Sequence, residues 1–210
     1  MEEMSQGVKV RIPATTANLG PGFDCLGMAL DVHNTIEMDF DIQTTVEVTG
    51  FGAESLSSGP EHLVARSAML LAVRTEKIVA GWKLRQHNDI PLARGMGSSS
   101  AAIVGGLVAA NALLETELTN EELLKLAVEI EGHPDNVAPA LLGGLVVCCT
   151  DEEGLRVALR CMSETPFTGF AGEHVEMPPR NVVPKPVQKP HPPVWVACTR
   201  RDTIHLAAQK

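Results

Sequence analysis

The sequence predicts an α+β layered domain. Three observations carry that expectation. Segments with strand-like alternation and segments with helical periodicity are mixed along the chain rather than strictly alternating. The single Gly/Ser-rich loop, around residues 91–101, lies mid-chain and not in a first βα turn, which argues against a doubly wound dinucleotide fold. Hydrophobic residues make up 44% of the 210 and aromatics only 3%, so the core must be built from Val, Leu, Ile, Ala and Met.

Taken in order, Val8, Val10 and Ile12 alternate with Lys9 and Arg11 and read as a half-buried strand ending at Pro13. The stretch 14–30 is rich in small residues and is interrupted by Gly20, Pro21 and Gly22, so it cannot be one regular helix. Alternation over 35–40 and 44–48 suggests two strands of a hairpin or meander. Helical periodicity marks 62–73, and a strand is expected over 81–86. Residues 98–114 read as a buried helix whose Ala and Gly residues allow close packing. Thr119 and Glu122 form a capping-box pattern ahead of a helix running to about Glu131. His133-Pro134-Asp135-Asn136 breaks it, a short helix is expected over 137–142, and Gly143-Gly144 turns into a strand at 145–149.

The net charge of -9 disfavours nucleic acid and anionic membranes as partners and means that a polyphosphate would need local help. No apolar run reaches membrane-spanning length and no signal peptide is visible at the N-terminus. The cysteines Cys25, Cys148, Cys149, Cys161 and Cys198 are odd in number and lack C-x-x-C spacing, so the expectation is reduced thiols in a cytoplasmic protein.

The loop Pro91-Leu92-Ala93-Arg94-Gly95-Met96-Gly97-Ser98-Ser99-Ser100-Ala101 sits between an expected strand and an apolar helix. Gly95 and Gly97 let backbone approach a ligand, and three serines add hydroxyls beside the free N–H groups of a helix start, where the dipole carries about half a positive charge. Together they make an anion site, although serines also serve as ordinary caps. Arg94 either adds a charge there or lies on the surface.

This loop resembles the nucleotide loop of the GHMP kinase superfamily, Pro-x-x-x-Gly-Leu-Gly-Ser-Ser-x-Ala, with Met96 at the Leu position. Two further segments resemble the homoserine kinase branch: Pro13-Ala-Thr-Thr-Ala-Asn-Leu-Gly-Pro-Gly-Phe-Asp24, and Glu129-Ile-Glu-Gly-His-Pro-Asp-Asn-Val-Ala-Pro-Ala140 followed by Gly143-Gly144. The resemblance implies a ribosomal protein S5 domain 2-like layered fold and an ATP- and Mg²⁺-dependent phosphorylation of the hydroxyl of L-homoserine. It implies that residues 91–101 wrap the ATP phosphates and that Ser99 and Glu129 are metal ligands, with Ser98 the alternative hydroxyl. On spacing alone, Glu129 reads rather as a surface residue pairing with Lys125, and it is the resemblance that favours the metal role; Glu131, on another helix face, is the second candidate. Asp135 and Asn136 would line the acceptor site, Asp135 as a base or as an orienting group, while His133 reads as a helix-end residue. Asn18 and Asp24 would bind the substrate's ammonium group.

The resemblance covers roughly 8–160, taken as the ATP-binding domain. Residues 161–210 hold eight of the fourteen prolines, lose periodicity and read as a poorly ordered tail, truncated or frame-shifted, where the family carries a C-terminal domain. Its absence would leave strand edges exposed for self-association, a homodimer included. Two other readings stand beside the first: phosphorylation of a different small alcohol (shikimate, mevalonate or a sugar), and a non-catalytic nucleotide-binding remnant.

Overall fold

The computed structural model describes residues 7–20, 22–151, 154–161, 170–171 and 176–177. Apart from Cys161 and two dipeptide strands, the tail expected at 161–210 lies outside the described residues, as does Pro21. The elements run β1 (Val8–Ala17), β2 (Leu26–Asp41), β3 (Thr45–Gly50), α1 (Leu63–Arg74), β4 (Gly81–Asn88), α2 (Ser98–Leu113), α3 (Asn120–Glu131), α4 (Pro134–Leu142), β5 (Leu145–Asp151), β6 (Gly154–Cys161), β7 (Phe170–Ala171) and β8 (Glu176–Met177).

The long strand β2 organises a six-stranded mixed sheet. It pairs with β1 along most of its length, and on its other side with β4 at one end and β5 at the other. The β3 strand pairs with β4 in parallel, joined by α1, and not with β2 as a hairpin. Strand β1 does not stop at Pro13. The register slips between Pro13 and Ala14, so the residue without an N–H sits at a bulge and the strand continues to Ala17.

One sheet face is charged and solvated. Along β4, Trp82, Leu84, Gln86 and Asn88 are buried while Lys83, Arg85 and His87 are exposed, and Lys9–Glu37 (2.9 Å) and Arg85–Glu47 (3.6 Å) pair across strands on that outer face. The inner face carries the helices. Helix α2 is buried almost all round because it lies between the sheet and the other helices. Its close approach requires glycine: a Cβ on Gly105 would stand 2.3 Å from Ile36 Cδ1, and one on Gly106 2.4 Å from the Val64 carbonyl of α1.

Helix α3 begins with the expected capping box, Thr119 and Glu122 exchanging bonds, and ends at Gly132 in a left-handed conformation (φ 94°). The sequence His133–Asn136 is not a free turn. His133 is the N-cap and Pro134 the first residue of α4, a position that needs no N–H, so Asp135 and Asn136 occupy the first turn of a helix.

Candidate phosphate and acceptor site

The 91–101 loop is anchored at both ends by buried polar groups. At its entry, Gln86 Nε2 donates to Asn88 Oδ1 (2.5 Å), Asn88 Nδ2 to the Phe51 carbonyl (2.9 Å), and the Ile90 N–H to Asn34 Oδ1 (3.0 Å). At its exit, the Thr15 N–H donates to the Met96 carbonyl at 3.1 Å. Pro91, Leu92 and Met96 are partly buried; Ala93, Arg94 and Gly95 form the exposed tip, with Ala93 (φ 53°) and Gly95 (φ 70°) left-handed.

Gly97 is the N-cap of α2. It has φ 65°, and a Cβ there would stand 1.9 Å from Thr15 Oγ1 and 3.3 Å from Asn136 Oδ1. No side chain caps this helix start, so the first N–H groups of α2 remain available to an anion. Ser99 and Ser100 both donate to one carboxylate oxygen, Glu131 Oε1, at 2.8 and 2.9 Å. Ala101 is buried at the start of the helix, and Ser98 is partly exposed.

Glu129 is not brought to the serines. It pairs with Arg74 of α1, and each side chain is about half exposed. Glu131 meets them instead. The buried stripe of α3 runs Leu123, Leu124, Ala127, and Glu131 extends it by one further turn toward α2. That phase is legible in the sequence: an acidic residue in line with the apolar stripe, at the helix end, faces inward.

The first turn of α4 closes the site. His133 Nδ1 donates to Asp135 Oδ1 at 2.5 Å, and Asn136 Nδ2 donates to the same oxygen at 3.3 Å. Asp135 is 1% exposed, and its Oδ2 has no protein partner. Asn136 Oδ1 in turn accepts from Thr15 Oγ1 at 2.8 Å. Thr15, fully buried, is brought to this junction, and the motifs in the sequence give it no role.

The loop 18–25 leaves β1 and enters β2 beside this turn, because Gly27 packs against α4: a Cβ there would stand 1.7 Å from the Asp135 carbonyl oxygen. Asn18 and Asp24 are both left-handed (φ 57°), and Asn18 Oδ1 accepts from the Asp24 N–H at 2.8 Å. Asn18 therefore shapes the loop, and Asp24 is exposed at its end. An apolar cavity of about 390 Å³ flanks α1, lined by Pro60, Leu63, Met69, Leu70, Val73 and by Ile130, the neighbour of Glu131.

Three segments far apart in sequence thus meet within hydrogen-bond distance: β1 at Thr15, the phosphate loop at Met96–Gly97, and α4 at Asn136. Residues 62–144 match the family model described as the GHMP kinases N terminal domain. Over these residues the chain is similar to the GHMP kinases. A homoserine kinase of Symbiobacterium thermophilum is 53% identical over 154 residues, covering 70% of this chain and 47% of that protein. One of Carboxydothermus hydrogenoformans is 52% identical over 150 residues, covering 71% and 49%. The crystal structure of homoserine kinase from Cytophaga hutchinsonii superposes with a TM-score of 0.64 at 31% identity, covering 77% of this chain and 53% of that one. The chain spans about half the length of the curated relatives it matches. The GHMP kinase match agrees with the α+β class read from the sequence.

Proposed function

We propose that this chain serves the ATP- and Mg²⁺-dependent phosphorylation of the hydroxyl of L-homoserine to O-phospho-L-homoserine, a step of threonine biosynthesis, in the cytoplasm. The observation that carries the reading is the junction at Gly97. An anion-binding helix start lies against Asn136 and Thr15, and the neighbouring Asp135 keeps a buried carboxylate oxygen free of protein partners. Phosphoryl transfer depends chiefly on positioning and charge neutralisation, so a phosphate cradle beside an acceptor-orienting carboxylate is the arrangement it needs. The names of the relatives support homoserine as the acceptor.

In this reading, residues 91–101 and the N–H groups of α2 hold the phosphates, and the apolar cavity along α1 takes the base. Ser99 and Glu131 would hold Mg²⁺. Two hydroxyls and a carboxylate converging on one point form the hard-oxygen donor set that this ion favours. The ion would neutralise charge on the phosphates. Asp135 Oδ2 accepts the hydrogen of the acceptor hydroxyl and aims its oxygen at the phosphate, Asn136 supplies an adjacent polar contact, and the exposed Asp24 faces the ammonium group.

An ADP-release assay over L-homoserine, shikimate, mevalonate and a hexose tests the acceptor. Preference for homoserine is expected, and preference for an alcohol lacking an amino-acid group would overturn it. Glu131→Gln should lower Mg²⁺-dependent turnover about a hundredfold or more. Glu129→Gln, which removes only an exposed ion pair, should stay within about twofold.

A further inference from the structure

Thr15 occupies a position where a hydroxyl is costly. It is 0% exposed, and a buried hydroxyl without a partner is unfavourable; valine has nearly the same shape. Its surroundings are fixed from three sides. Its backbone is held in the β1–β2 ladder opposite Ala29 and by the bond from its N–H to the Met96 carbonyl. Its Oγ1 is confined by Gly97, where a Cβ would come within 1.9 Å, and it donates to Asn136 Oδ1 at 2.8 Å. A β-branched side chain has few χ1 choices, so this hydroxyl has little freedom to point elsewhere.

Asn136 is the next link. An amide side chain can be turned over with almost no change of shape, exchanging its acceptor for its donors. With Oδ1 on the Thr15 hydroxyl, Nδ2 faces Asp135 Oδ1 at 3.3 Å, and that oxygen also accepts from His133. Turned over, Asn136 would set two acceptor oxygens against each other at that distance. Asp135 Oδ1 is thereby occupied twice, and Oδ2 is the oxygen left open in the buried site.

We propose that Thr15 is a positioning residue: its hydroxyl anchors the Asn136 amide in the orientation that Asp135 Oδ1 selects and, through it, sets the presentation of Asp135 Oδ2 to the acceptor hydroxyl. The inference rests on the reading of Asp135 and Asn136 given under Proposed function. It separates the two faces of Thr15. The backbone N–H supports the phosphate loop and survives any side-chain change, whereas the hydroxyl serves only the acceptor side.

The test uses the 210-residue chain with Thr15→Val, which deletes the hydroxyl, and Thr15→Ser, which restores it. Thr15→Ala makes the same deletion without crowding should the valine variant misfold. Two readouts are compared. The first is the side-chain amide resonance of Asn136, identified by its loss in Asn136→Asp. It should be dispersed and slow to exchange in the unaltered chain and in Thr15→Ser, and should collapse toward the exposed-amide region in Thr15→Val. The second is kinetic. Thr15→Val should lower kcat with L-homoserine about ten- to a hundredfold with the KM for ATP within about twofold, and serine should recover most of the loss. An Asn136 amide unchanged in Thr15→Val, or serine as impaired as valine, overturns the inference. An unaltered chain that ignores homoserine refutes the substrate reading instead, and the Asn136 resonance still decides the role of Thr15.

Discussion

His62 shows how much one side chain can commit. Its Nδ1 accepts from the Val64 N–H at 3.3 Å and so caps α1, which requires that nitrogen to be unprotonated. The ring is 3% exposed and Nε2 has no protein partner, so burial holds its pKa below the ordinary value of 6.5. Because the folded value is depressed, the unfolded chain takes up the proton first. The contribution to stability is complete above about pH 6.5 and is lost as pH falls through the folded value. The urea midpoint should therefore decline between neutral and mildly acid pH. His62→Asn, which keeps a capping acceptor without a titrating ring, should decline less; equal slopes would contradict the cap and burial account. At this scale the sequence was only partly legible. The serines and Asp135-Asn136 could be picked out, because such residues beside glycine and proline suit few purposes. Choosing between Glu129 and Glu131 turned on the apolar stripe of α3, with which Glu131 is in line and Glu129 is not, and Thr15 looks like any strand threonine until its buried partner is known.

Elements were easier to find than their partners. Alternation located the second half of β2, β3 and β4 because a half-buried sheet imposes it, but it missed the start of β2 at Leu26; nothing within a strand names the strand beside it, and β3 proved to be the parallel neighbour of β4. The bulge at Pro13 hid the second half of β1 for a similar reason: proline normally ends a strand, and only the long partner β2 allows the ladder to resume. Helix α2 was readable as buried from its composition, while the specific demands on its glycines were not. Gly106 faces a backbone carbonyl of α1, which cannot rotate away as a side chain would. Gly106→Val should accordingly force α1 and α2 apart and cost about 1–3 kcal/mol or more in chemical denaturation. A variant of unchanged stability would show that the two helices do not pack at this distance.

For the molecule as a whole, the candidate site is assembled from segments far apart in the sequence, and the sheet is what brings them together. Thr15 lies on β1, Gly97 follows β4, and α4 returns to β2 at Gly27, so all three report to the strands around β2. The net charge of -9 offers a nucleotide no long-range attraction, which leaves affinity to the α2 N-terminus, the serines and a shared cation. Both ends of the loop are tied to buried groups of the core, so occupation of the site should be felt by the folding of the domain rather than by the loop alone. A ligand that binds only the folded state at a hundred times its Kd adds about 2.7 kcal/mol, or roughly 5–10 °C in Tm for a chain of this size. Mg·ATP should raise the thermal midpoint by that order. The share of the rise that depends on Mg²⁺ should vanish in Glu131→Gln and persist in Glu129→Gln. A midpoint indifferent to Mg·ATP would mean that the cradle at Gly97 does not hold phosphate, and equal losses in the two variants would mean that Glu131 does not hold the ion.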